Sequence, residues 1–217
     1  DLEISKIAQY NALSEAGINA PVTIAAFSKE DVRLAAAKIS FPLMLKHNWG
    51  GKGLGVRLFR NNQVLEQYLN SNEFEESLDG ITLIQQYIES TQPRIIRAEF
   101  IGSEFIYAVS INNEQGFNLC PADSCSLEDS FCATSAPENK FKIISDFDHP
   151  ILIQYKKFLA KHNIEVAGIE FIFDKAGDVY TYDVNANTNY NKAAEQKSGL
   201  SATRELTKFI KKLCSST

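Results

Sequence analysis

The chain has 217 residues, 44% hydrophobic and 23% charged, which suits one domain or two tightly joined lobes with a core of useful size. A formal net charge of −5 argues against a nucleic-acid binder, which would show a basic face. No apolar run approaches the length of a membrane span and no signal peptide is visible, so the expected setting is the cytoplasm, without a membrane partner.

Helical periodicity over Ile4 to Ala16 puts Ile4, Ile7, Ala8 and Leu13 near one face, and Gly17 ends it. Pro21 to Ala26 reads as a short strand. Ser28 can cap a helix through Lys38, with Asp31 as the acidic partner of a capping box. Phe41 to Lys46 is a strand, followed by the glycine-rich turn Gly50 to Gly55 and a strand over Val56 to Phe59. Asn61 or Asn62 caps a helix to about Asn70. Ile81 to Ile88 is a buried strand. Ile95 to Ile101 and Glu104 to Ile111 form a hairpin around Gly102 and Ser103. The stretch to about Asp148 reads as irregular. His149 to His162 is an amphipathic helix, whose flanking histidines read as solvent-facing. Strands over Ala167 to Phe173 and Asp178 to Val184 follow, joined by a turn holding Gly177. A last helix, Lys192 to Leu213, is interrupted near Gly199. Hairpins with helices interspersed give an α+β layout, not a regular βαβ chain. The fingerprints of classical dinucleotide and P-loop folds are absent.

Chemistry concentrates in the last hairpin. Apolar side chains surround Glu170, so an ionised carboxylate there is costly without a partner. A facing carboxylate, Asp183, would repel it unless a cation lies between them. With Asn185, the oxygen-only set suits Mg²⁺, which usually also takes substrate phosphates as ligands. The competing reading is a strand pair with solvated acids. Lys46 precedes four glycines within the six positions Gly50 to Gly55. Such a loop can cradle a phosphate with its N–H groups, or be an ordinary turn. Gln85, Gln86, Tyr87 and Ile88 end a strand whose edge could pair with adenine. Arg97 lies on a strand with Glu99 on the same face, either as a structural ion pair or as a stabiliser of transferring phosphate. His47 reads as a loop residue and not as a base. Three of the four cysteines, Cys120, Cys125 and Cys132, lie in one loop-like stretch, with Cys214 distant; their loose spacing is a poor zinc site, and reduced thiols fit better.

In this order the pieces resemble the ATP-grasp superfamily of carboxylate–amine ligases, nearest the branch of glutathione synthetase and the ribosomal S6 glutamate ligase. The likeness covers nearly the whole chain and is strongest over Phe41 to Leu58, Leu83 to Gly102 and Ala167 to Asn191. It implies an α+β fold with two lobes holding ATP, approximately 1–85 and 86–217. It further implies that the family's N-terminal substrate domain is missing here, which fits a chain starting at Asp1 without an initiator Met. Lys6 resembles the first nucleotide lysine and Lys46 the second, near the α-phosphate and adenine. Gly50, Gly51, Lys52, Gly53 and Gly55 resemble the lid over the β- and γ-phosphates. Gln85, Gln86, Tyr87 and Ile88 resemble the adenine hinge, and Glu89 and Gln92 compete for the ribose. Arg97 resembles the arginine facing the γ-phosphate and the acyl-phosphate. Glu170, Asp183 and Asn185 resemble the metal triad, normally filled by two Mg²⁺ ions, with Mn²⁺ as an alternative. Asn187 would face the acceptor. A second arginine found in D-alanine ligases is replaced by Gly168.

The implied activity is ATP-dependent amide-bond formation through an acyl-phosphate, between a small carboxylate and an amine or peptide. The reading allows a homodimer. A nucleotide-binding module that does not catalyse, or that needs a further N-terminal domain to do so, is the alternative.

Overall fold

The computed structural model describes residues 2–50, 55–92, 94–112 and 141–215. The chain forms two compact units: Asp1–Thr91 with Phe173–Tyr182, and Gln92–Ile172 with Asp183–Thr217.

The first unit begins with α1 (Lys6–Glu15), capped by Ser5, whose hydroxyl accepts from Ala8 N–H. Burial falls on Gln9, Ala12 and Leu13. Of the expected face only Leu13 is buried; Ile7 and Ala8 are half-buried, and Ile4 lies before the helix and is exposed. β1 (Thr23–Ala26), α2 (Lys29–Ala36), β2 (Leu43–His47), β3 (Arg57–Phe59), α3 (Asn62–Asn70) and β4 (Thr82–Gln86) follow. Ser28 caps α2 by accepting from Asp31 N–H, while Asp31 accepts from the Ser28 hydroxyl and Phe27 N–H. Asn61 caps α3 through Val64 N–H. The four strands form a sheet in the order β1-β4-β2-β3, paired antiparallel. Val32 of α2 and Leu65 and Leu69 of α3 pack with Leu43 and Ile84 of the sheet, all fully buried. His47 belongs to a strand end and not a loop, and its ring lies directly under Gly55.

The remaining elements are β5 (Arg94–Ile101), β6 (Glu104–Asn112), β7 (Phe141–Ile144), α4 (Ile151–Lys161), β8 (Val166–Phe173), β9 (Val179–Asn185), α5 (Lys192–Ser198) and α6 (Ala202–Ser215); all fall in the second unit except Phe173 of β8 and the part of β9 up to Tyr182. The sheet order is β7-β6-β5-β8-β9. β7 corrects the expectation of irregular chain up to Asp148: four residues too short to show a period pair with Ala108 to Ile111 of β6. The histidines flanking α4 are not solvent-facing as expected. The His162 ring lies 4.6 Å from Phe158, and His149 stacks on Phe147 and accepts from Ile151 N–H.

Alternation along β5 and β8 sorts their side chains. Ile96, Ala98 and Phe100 pair with Phe171, Ile169 and Ala167. This face packs with Tyr155 of α4, 6.3 Å from Phe100 and 5.7 Å from Phe171 between ring centroids. Period two sends Arg97 and Glu99 to the other face, opposite Glu170 and Gly168. The strand pair that builds an apolar core on one side thus lines up charges on the other.

Candidate functional site

In the first unit, Lys6, Tyr10, Pro21, Lys46, Gln85 and Tyr182 line one pocket. Asn48, buried just past β2, ties its walls together. Its Oδ1 accepts from Ile7 N–H at 2.9 Å and its carbonyl from Lys6 N–H at 3.2 Å, so the start of α1 is anchored to the end of the strand carrying Lys46. The Asn48 amide donates to Asp79 Oδ2 at 2.6 Å. Burial alone would raise the Asp79 carboxyl, but hydrogen bonds from Ser77, Asn48 and Ile81 hold it below the usual range. Sequence reasoning named Lys6, Lys46 and Gln85 and missed Asn48, Tyr10 and Tyr182, whose roles depend on contacts distant in sequence.

The Gln85 amide donates to Thr23 Oγ1 at 2.7 Å, and Gln86 Oε1 accepts from Val22 N–H at 3.2 Å. Both side chains are thus held against β1 or the residue before it. Tyr87 is half-buried and Ile88 buried. Glu89 is exposed and pairs with Lys175 at 2.8 Å, and Gln92 is exposed in the second unit. Gly50 and Gly55 bracket the glycine loop; Gly51, Lys52 and Gly53 lie outside the described residues, as do Cys120, Cys125 and Cys132. Cys214 is a free, exposed thiol.

In the second unit, Arg97, Glu99 and Glu170 are all buried within β5 and β8. Arg97 Nε lies 2.8 Å from Glu99 Oε1, and Nη1 lies 3.4 Å from Glu170 Oε1. Burial by itself would lower the guanidinium, but Glu99, Glu170 and Asp183 outweigh it and hold Arg97 firmly charged. Burial dominates for Glu99, pushing its carboxyl up to about 7 against the attraction of Arg97. Asn185 Nδ2 donates to Asp183 Oδ2 at 3.3 Å, placing these two oxygen-bearing groups side by side. Asn187, two residues on, is exposed.

Beside these, the Tyr107 hydroxyl donates to Glu195 Oε1 at 2.7 Å, and Ala202 N–H donates to the same oxygen at 2.5 Å. Glu195 therefore ties β6 to the start of α6. Burial, reinforced by that carboxylate, holds the Tyr107 phenol far above its ordinary range.

The donor set Glu170, Asp183 and Asn185 is all oxygen, the chemistry of a hard divalent cation such as Mg²⁺. Three carboxylates act on one guanidinium here, an excess of negative charge that a cation would offset. Among the described residues no group of three or more His, Cys, Asp or Glu is arranged for a metal; the set has two acids and an amide. It would complete its shell with phosphate oxygens and water, as Mg²⁺ sites usually do.

Comparison with known proteins adds three kinds of likeness. Residues 4–120 match the model of the RimK-like ATP-grasp domain. The α-aminoadipate–LysW ligase LysX of Sulfurisphaera tokodaii is 34% identical over 113 residues, 50% of this chain and 39% of that protein. The ribosomal protein bS6–L-glutamate ligase of Escherichia fergusonii is 23% identical over 211 residues, 95% of this chain and 63% of that one. The chain thus spans less than two thirds of the length of these curated relatives. The fold is shared with a RiPP-associated ATP-grasp ligase of Chryseobacterium gregarium, solved with ADP and a leader and core peptide. The TM-score is 0.66 at 16% identity, over 100% of this chain and 60% of that one.

Proposed function

The chain belongs to the RimK-like ATP-grasp family, and on that premise we propose that it is an ATP-dependent ligase joining a carboxylate to an amine through an acyl-phosphate. The observation that carries this reading is the buried Arg97 among Glu99, Glu170 and Asp183, next to Asn185. A guanidinium and an oxygen-only cation site together serve one purpose well, neutralising a phosphoryl group in transit.

A substrate carboxylate oxygen attacks the γ-phosphorus of ATP, the bond to the β-phosphate oxygen breaks, and ADP leaves. The amine then attacks the activated carbonyl and phosphate departs with the electron pair of the broken C–O bond. Mg²⁺ when bound at Glu170, Asp183 and Asn185 supplies charge neutralisation; two ions are expected, and Mn²⁺ would substitute. Arg97 places a permanent positive charge toward the transferred group. Lys6 and Lys46 hold the nucleotide phosphates, and the segment Gln85 to Ile88 receives adenine. Gly50, Gly51, Lys52, Gly53 and Gly55 are assigned to the β- and γ-phosphates. Glu89 or Gln92 contacts the ribose, and Asn187 faces the acceptor. No side-chain nucleophile is required. The amine is an amino acid or peptide, in keeping with the bS6–L-glutamate ligase among the similar proteins.

The test is a phosphate-release screen of the protein with Mg·ATP against amino acids, small carboxylic acids and short peptides, with hydroxylamine present to trap acyl-phosphate as a hydroxamate. ATP-dependent hydroxamate with at least one acid is expected. Nucleotide binding without phosphate release from any acid would leave only the ATP-binding module.

A further inference from the structure

Glu99 is a buried acid to which phosphoryl transfer assigns no task. In the β5–β8 register it faces Gly168, one pair along from Arg97 and Glu170 on the same face. The Arg97 side chain bridges the two pairs, with Nε toward Glu99 and Nη1 toward Glu170. That path exists because residue 168 has no side chain. A Cβ there would stand 2.7 Å from Arg97 Cζ and 2.5 Å from Nη2, closer than packed atoms approach. Both ends of the bridge are deeply buried, Glu99 at 2% and Glu170 at 5% exposure, as is Arg97 itself, so the guanidinium has little freedom to settle elsewhere.

A divalent cation and a guanidinium compete for one carboxylate. If Glu170 were the sole partner of Arg97, the pair would hold the acid against the metal, and a bound metal would repel the arginine. A second carboxylate on the far edge of the guanidinium removes the conflict. The guanidinium lies nearer Glu99, with an ion-pair distance of 2.8 Å from Nε, while Nη1 keeps a long hydrogen bond to Glu170 at 3.4 Å.

We propose that Glu99 and Gly168 are positioning residues for Arg97: Gly168 leaves the space in which the guanidinium lies, and Glu99 draws it off Glu170 so that Glu170 can serve the metal. This rests on the proposed reading of Glu170 as a metal ligand. The missing second arginine is thereby recast, since the glycine in its place is what admits the first.

The experiment measures Mn²⁺ binding by calorimetry in the presence of saturating ADP, for the whole chain and three variants. Glu99→Gln should weaken Mn²⁺ by about tenfold, because Arg97 then closes on Glu170. Adding Arg97→Met to Glu99→Gln should return the affinity to at least the parental value. Gly168→Ala should weaken Mn²⁺ in the same direction by displacing the guanidinium, and it keeps the proposal testable if Glu99→Gln does not fold. Parental Mn²⁺ affinity in Glu99→Gln, or in a folded Gly168→Ala, would overturn the proposal. A double variant no better than Glu99→Gln would also overturn it, because Glu99 would then act on the metal directly. Absence of Mn²⁺ uptake by the parent would instead defeat the metal reading of Glu170, and the positioning role with it.

Discussion

Glu170 sits in the middle of a strand whose other face is pure core, and that placement makes it sensitive to charge. Glu170→Gln keeps the volume and removes the ionised group, while Arg97 retains Glu99 at 2.8 Å as its counter-charge. The expected outcome is loss of Mg·ATP turnover by at least about a hundredfold, with an unchanged circular dichroism spectrum. Asp183→Asn should behave alike; parental turnover in either variant would refute the metal assignment. Glu99 adds a pH dependence. Its folded value of about 7 lies above its unfolded one, so the native state holds the extra proton between the two. Stability should therefore fall as pH rises from about 4.5 through 7, by about 3 kcal/mol in all. Urea unfolding at pH 5 and pH 8 measures this, and Glu99→Gln should flatten the difference. Glu170 and Arg97 were visible in the sequence because charges amid apolar runs need partners. The part played by Gly168 was not visible, because it exists only through strand register: in the chain, residue 168 is seventy-one positions from Arg97, and in the sheet it is the diagonal neighbour.

Among the elements, caps and turns were the most legible. Ser28 and Asn61 cap their helices as residue type and spacing predict, since these signals are local. The Asp174 to Asp178 turn closes with Asp174 Oδ1 accepting from Ala176 and Asp178 N–H. β7 was missed because its partner, not its own sequence, makes it a strand, and α1 buries Gln9 and Ala12 beside Leu13 in place of Ile4, which lies outside the helix. The β5–β6 hairpin offers a test at this scale. Gly102 has φ +60, a conformation that costs other residues about 1–2 kcal/mol, and a Cβ there would meet the Phe209 ring of α6 at 2.8 Å. Gly102→Ala should therefore lower unfolding free energy by more than about 1 kcal/mol in urea titration. It should also loosen α6, which hydrogen exchange would report as faster amide exchange in Ala202–Ser215. Parental stability would show that the turn relaxes without strain.

At the scale of the whole molecule, the α+β layout followed from hairpins and helices read in order, and the family from the residues they carry. The composition of the two units did not follow. Residues Phe173–Tyr182 are counted with the first ninety-one, a grouping set by contacts such as Thr181 N–H to the Asn19 carbonyl, and no sequence pattern announces such a return. Nucleotide should act on the protein as a whole. A ligand that binds only the native state adds RT ln(1 + [L]/Kd), about 2.7 kcal/mol at one hundred times Kd. For a chain of this length each kcal/mol moves Tm by about 2–4 °C. Mg·ADP at that excess should therefore raise Tm by about 5–10 °C. On the proposed reading the rise should shrink with ADP and EDTA, because EDTA removes the cation assigned to Glu170, Asp183 and Asn185. It should also shrink for Lys46→Met, which removes a buried charge from the pocket of the first unit. No shift at millimolar Mg·ADP would count against nucleotide binding itself. A shift indifferent to EDTA would keep the nucleotide and displace the metal from Glu170, Asp183 and Asn185.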